Sequence, residues 1–164
     1  MQQPQTASAV PDRAALRAEL EATRAGFHEL MDAVSDADWK TKSANPAWTV
    51  GQLIYHMAWA VGFMRGEVKS TMKGKGLNPP NFIINPLNVF NTKFGAMRAS
   101  RASIARKYDA ATADLVAMID TIGDGDWQRS ATTFGVTQTV EHIFHVPAEH
   151  LAEHSADIRT VLTQ

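Results

Sequence analysis

The sequence predicts an all-α fold, a four-helix bundle with one long crossover between its second and third helices. Three observations carry the prediction. Four segments space their apolar residues by three, four and seven, the period of a core-facing helical stripe. One connection, residues 73–98, is far longer than the others. No run of alternating apolar and polar residues competes as a strand. The chain has 164 residues, 45% of them hydrophobic and 20% charged, which suits one globular domain with one core.

Residues 1–10 read as a flexible polar tail ahead of a domain spanning 11–164. The first helix, over 11–34, carries Leu16, Leu20, Phe27, Leu30, Met31 and Val34 on one stripe, and Pro11 and Asp12 suit its start. Residues 35–46 form a loop holding Trp39. Thr49 and Gln52 have the spacing of a capping box, so a second helix starts there and runs to about Met72, with His56 near the edge of its apolar arc. The crossing segment is broken by Gly74, Gly76, Pro79, Pro80 and Pro86, and at most a short helix capped by Asn85 and Pro86 is expected within it. It is nevertheless rich in Phe82, Ile83, Ile84, Leu87, Val89, Phe90 and Phe94. The third helix covers about 97–122 and ends at Gly123 and Gly125. The fourth covers about 139–162, with Pro147 kinking its second turn.

A faint internal repeat runs through this pattern. Asp36, Asp38, Trp39, Thr49 and Val50 are echoed by Asp124, Asp126, Trp127, Thr139 and Val140, so each half reads as one helical hairpin.

Composition excludes several kinds of function. Sixteen Lys plus Arg against seventeen Asp plus Glu give a net charge of -1, and no global field favours nucleic acid or an anionic membrane. Zero cysteines remove disulfides, thiolate metal sites and a cysteine nucleophile together. The start of the chain lacks the pattern of a secretory signal and no apolar run is long enough to span a membrane, so a cytoplasmic protein is expected. Gly74 and Gly76, or Gly123 and Gly125, have no third glycine and no preceding strand to make a nucleotide cradle. Asp124 and Asp126 lack the other ligands of a calcium loop. Trp39, Trp48, Trp59 and Trp127, without a basic stripe, read as packing aromatics.

Four of the six histidines lie between 142 and 154. His150 and His154, spaced i and i+4, fall inside the core-facing arc of the last helix, one ring above the other. The plain alternative is that each is a half-buried core histidine bonded to a carbonyl. His56 lies seven residues after Thr49, and His150 and His154 lie eleven and fifteen after Thr139. If the two helices pack side by side from matched starts, the three rings converge at similar depth. His142 lies at the arc boundary and is a candidate to support the ligands from behind. His145 points to solvent, and His28 has no partner in register.

The run Trp48-Thr49-Val50-Gly51-Gln52-Leu53-Ile54-Tyr55-His56, together with Thr139-Val140 and the later His150-x-x-x-His154, resembles the DinB-like superfamily over about residues 16–162. That superfamily includes bacterial thiol-dependent transferases. The resemblance implies an up-down-down-up bundle and a divalent metal held by His56, His150 and His154. Its mycothiol-dependent maleylpyruvate isomerase branch carries a Glu where this chain has His150, which counts against that branch's particular reaction. Zn ranks first on ligand type, with Ni and Fe as alternatives.

Two functions follow as expectations. The first is a metal-dependent transferase that activates a low-molecular-weight thiol, or water, against a small electrophilic substrate. The second is a non-catalytic stress or ligand-binding protein of the same fold. The crossing residues must cover something. The mouth of the metal site is the preferred surface, with Phe82, Ile84 and Phe90 lining a pocket; a homodimer contact is the other.

Overall fold

The computed structural model describes residues 10–162, so the expected tail, apart from Val10, lies outside the described residues. The side chains of Asn81, Ile83 and Ile84 lie outside them too.

Four long helices make the bundle: α1 (Arg13–Ala33), α2 (Val50–Thr71), α4 (Arg101–Ile119) and α5 (Val140–Arg159), with α3 (Asn81–Arg98) as the crossover. Their directions are fixed by side chains that meet across them. Arg13 pairs with Asp124 and His28 with Asp109, so α1 and α4 run antiparallel. Lys107 lies over the Tyr55 ring and Arg65 pairs with Asp114, so α2 and α4 run parallel. His56 meets His150 while Glu67 accepts from Gln138, so α2 and α5 run antiparallel. The bundle is therefore up-down-down-up. One core fills it, built on Leu20, Phe27, Leu53, Tyr108, Leu115 and Phe144. No helix among the described residues is long and apolar enough to cross a membrane.

Three local expectations are corrected. Residues 130–139 form an antiparallel hairpin, β1 (Ser130–Thr133) with β2 (Val136–Thr139), where no strand was expected. Its inward positions are Ala131 and Thr133, too weakly apolar to register as an alternating pattern. The turn is Phe134-Gly135, both at positive φ, which matches the twist of a two-residue hairpin. Gly76 packs so closely on the Thr132 carbonyl that any Cβ would overlap it, and Leu77 O accepts from Phe134 N at 2.8 Å. The segment after α2 thus pins the hairpin.

The second correction is α3, a continuous helix of 18 residues with Pro86 inside it. Pro79 and Pro80 precede it, as prolines tolerably do, and Pro86 removes one interior hydrogen bond without ending the helix. The third concerns the halves. The main neighbours of α1 are α4 and α5, so α1 and α2 lie across the bundle's diagonal and do not form a side-by-side hairpin.

The repeat itself is physical. Asp12 and Ser100 cap α1 and α4, Arg13 and Arg101 open them, and Trp39 and Trp127 follow, each pair 88 residues apart. Arg101 donates to the Ser35 carbonyl at 2.9 Å and lies 4.2 Å from the Trp39 ring; Arg13 donates to the Ile122 carbonyl at 2.9 Å and lies 5.7 Å from Trp127. Val50 N donates to Thr41 O and Val140 N to Arg129 O, both at 2.9 Å. Each half therefore starts its second helix by the same backbone clasp.

Candidate metal centre

Caps fix where each histidine falls. Thr49 Oγ1 accepts from Gln52 N while Gln52 Oε1 accepts from Thr49 N, which sets the register of α2 two turns before His56. Thr139 Oγ1 accepts from His142 N and does the same for α5. The expected convergence occurs, with a different cause. The helices are antiparallel, so depth is matched because His56 lies six residues from the start of α2 at Val50 while His154 and His150 lie five and nine residues from the end of α5 at Arg159.

One ring nitrogen from each of His56, His150 and His154 lies within 4.8 Å of the others. His150 Nε2 and His154 Nε2 are 3.0 Å apart. A tetrahedral ion with Zn–N bonds of about 2.0–2.1 Å holds its nitrogens about 3.3 Å apart, so small ring rotations would bring all three to coordinating distance. His56 and His154 are buried, at 7% and 5% exposure. Trp48 stacks on the His56 ring at 4.5 Å, Thr92 Oγ1 of α3 lies 3.5 Å from His56 Nδ1, and Asp157 Oδ2 lies 3.3 Å from His154 Nδ1. Carboxylate support of one ring nitrogen leaves the other free to act as a ligand. His150 Nδ1 is buried and has no hydrogen-bond partner.

The electrostatics also favour a cation. Burial, and then the neighbouring His154, pull the His56 imidazole down to about 4. Burial, followed by His154 and His56, pulls His150 down to about 3. Both rings are thus neutral at physiological pH, with lone pairs available and no proton to expel. The residues fit a divalent metal by donor type, separation and charge state.

A cleft of about 640 Å³ opens over this group. His56 and His150 line it and His154 lies behind them. Its walls include Trp59, Phe63, Met64, Phe134 and Val146. Trp59, expected as a packing aromatic, is therefore a wall residue. Phe82 and Phe90, expected at the mouth, are absent from the lining; they face outward at 78% and 62% exposure. The faces are exchanged because α3 is a regular helix, which turns Asn85, Asn88 and Asn91 inward and its phenylalanines outward. Ile84, the third expected wall residue, has its side chain outside the described residues.

His142 lines the cleft and does not support a ligand; its Nε2 lies 3.7 Å from Glu149 Oε2. The supporting role falls to Asp157 and Thr92, which the sequence reading missed. Asp157 had a signal, three residues beyond His154; Thr92 had none. His145, expected in solvent, has its Nδ1 2.8 Å from Glu19 Oε2 of α1. His28 lies 2.7 Å from Asp109.

Comparison with known proteins agrees with this architecture. A family model described as the DinB superfamily matches residues 19–158. The solved mycothiol-dependent maleylpyruvate isomerase superposes with a TM-score of 0.71 at 14% identity, covering 93% of this chain and 63% of its own. This chain thus spans under two thirds of that protein's length. YfiT from Bacillus subtilis, described as "a probable metal-dependent hydrolase with an unusual four-helix bundle topology", superposes with a TM-score of 0.71 at 16% identity, covering 97% of this chain and 90% of its own. At such identities the likeness is one of fold. No curated protein matches the sequence.

Proposed function

The chain belongs to the DinB superfamily, and from that premise we propose that it is a divalent-metal-dependent transferase, activating a low-molecular-weight thiol, or water, against a small electrophile. The ligand set carries the reading: the candidate group holds three histidines and no carboxylate, and two of the three face an open cleft. Three protein ligands with a free position is the pattern of catalytic sites, whereas structural sites are closed by a fourth. A bound divalent ion would supply Lewis acidity there, lowering the pKa of a thiol or water toward neutrality. Zn suits an all-imidazole set best, with Ni and Fe as alternatives.

The chain's own residues supply the remaining work. Asp157 orients the His154 ring, Trp48 and Thr92 hold His56, and the Glu149–His142 pair gives the rim a group able to take a proton. Trp59, Phe63 and Phe134 form an apolar wall that excludes water from the reacting atoms. A chain without cysteine must receive its thiol as a cosubstrate. The reading sets the protein in the cytoplasm, acting on a small molecule and not on nucleic acid or membrane.

Cobalt substitution tests it. Adding 2-mercaptoethanol to the cobalt-loaded protein is expected to produce a new near-ultraviolet thiolate-to-metal band. A loaded centre whose spectrum responds to neither thiol nor azide is closed, and the non-catalytic ligand-binding protein then replaces the enzyme.

Assembly is a separate proposal. Phe82, Phe90, Phe94 and Met97 leave an exposed apolar stripe along α3, and a second copy of the chain would cover it. Phe90→Asp is then expected to lower the sedimenting mass to that of a monomer; a wild-type protein already monomeric at high concentration rules the contact out.

A further inference from the structure

The geometry points to the class of molecule that the cleft takes: an elongated neutral or cationic compound that reacts at the histidine end and offers hydrogen-bond donors at the other, with anionic tails rejected. This rests on the reading of the cleft as the substrate site.

The cleft follows α2 from His56 past Ala60 and Phe63 to Glu67. Eleven residues at the helical rise of about 1.5 Å separate its two ends by about 16 Å. Among the described lining residues there is no Lys or Arg, while Glu67 and Glu149 are both present. Any positive charge in the cleft would therefore come from an ion held at the histidine end. A carboxylate at the far end would meet Glu67 with no counter-ion beside it, in a cleft whose apolar walls weaken screening.

The far end is also built to accept hydrogen bonds. Glu67 Oε1 accepts from Gln138 Nε2 at 2.7 Å, which leaves its other oxygen available to a ligand. Nearer the histidines, one helical turn before Thr92 on α3, Asn88 Oδ1 is buried without a partner, and a buried acceptor left unpaired gains most from a ligand N–H or O–H. Between the ends runs a row of rings. Trp59 stacks on Phe63 at 6.1 Å, and Phe63 meets Phe134 at 5.6 Å. Phe134 keeps this place at φ 52°, a left-handed conformation unusual for a residue other than Gly, Asn or Asp, fixed by its bond to Leu77 O and by the bond of Gly135 N to Asn78 Oδ1. Aromatic faces, carboxylates and a free carbonyl oxygen together recognise ammonium and hydroxyl groups on an apolar stem.

Matched probes separate the alternatives. Three octanethiols carrying a terminal amine, hydroxyl or carboxylate are titrated calorimetrically into the zinc-loaded whole chain. The amine and the alcohol are expected to bind at least tenfold more tightly than the carboxylate. Glu67→Gln is expected to narrow the amine-to-carboxylate ratio at least threefold, whereas Glu29→Gln, on the exposed face of α1, leaves it unchanged. Octylamine, octanol and octanoate, which lack the thiol, are run in parallel on the chelator-treated chain. The same order there, with no metal-dependent thiol binding in the first series, removes the thiol reading and leaves the tail preference standing. A carboxylate that binds as tightly as the amine in both series overturns the proposal.

Discussion

His150→Ala is expected to lower zinc affinity at least a hundredfold, about 2.7 kcal/mol, while leaving the helical content unchanged. The loss is large because the candidate centre offers three imidazoles and no carboxylate, so only two imidazoles would remain to compete with water and buffer. The fold survives because the core built on Leu20, Phe27, Leu53, Tyr108 and Leu115 does not depend on the centre, and the contact that alanine would remove, His150 Nε2 with His154 Nε2, lies within the histidine group itself. Asp157→Ala acts only through orientation of the His154 ring, so a smaller loss is expected, about tenfold. Competition with a chromophoric chelator measures both. Wild-type affinity in His150→Ala would show that this histidine is not a ligand.

Acid is expected to destabilise the metal-free protein well before its carboxylates titrate. In the unfolded chain His56 and His150 protonate near 6.5, whereas in the folded chain burial holds them near 4 and 3. Between those values the unfolded state binds more protons, so stability falls with falling pH and is complete above about 6.5. For His56 alone the loss by pH 4 is about 3 kcal/mol, and His150 adds to it in the same direction. Urea unfolding in chelator at pH 8, 6 and 5 measures the slope. His150→Ala should flatten it, and saturating zinc should raise the pH 8 midpoint by binding only the folded state. A metal-free protein equally stable at pH 5 and pH 8 would contradict the burial of neutral rings at this site. Loss of far-ultraviolet helical signal on chelation at pH 8 would make the ion structural and favour the non-enzyme reading.

The bundle and the convergence of His56, His150 and His154 were legible in sequence because they rest on periodicity and capping, which are local signals. Thr49 with Gln52, and the i, i+4 spacing of His150 and His154, each state their geometry within a few residues. The repeat was legible as two tryptophans with flanking acids. What it left unread was that Arg13 and Arg101 each reach the other half, which places α1 and α2 across a diagonal; that is a long-range contact with no local trace. The hairpin was missed because Ala131 and Thr133 bury little apolar surface, and its turn uses Phe134-Gly135 in place of Asn-Gly. The crossing segment was misread for a related reason. Its prolines are start signals at 79 and 80 and a tolerated interior residue at 86, and composition alone does not tell these cases apart. Once α3 is a helix, Asn85, Asn88 and Asn91 face the cleft while Phe82, Phe90 and Phe94 face solvent, the reverse of what hydrophobicity suggested.

The internal symmetry also shows what stands opposite the one candidate histidine group among the described residues. Counted from Thr49 and Thr139, His56 corresponds to Val146, while His150 and His154 correspond to Ala60 and Met64. All three counterparts line the cleft. The half of the site equivalent to the metal triangle is thus an apolar wall beside it, so that a ligand held at the histidines lies against Ala60, Met64 and Val146.

Metal analysis of the chain purified without a histidine tag, alongside the His56→Ala/His154→Ala double variant, tests the central claim most directly. The account predicts about one divalent ion per wild-type chain after exposure to zinc and dialysis, and essentially none in the variant. Equal metal content in the two proteins, or none in either, would contradict it.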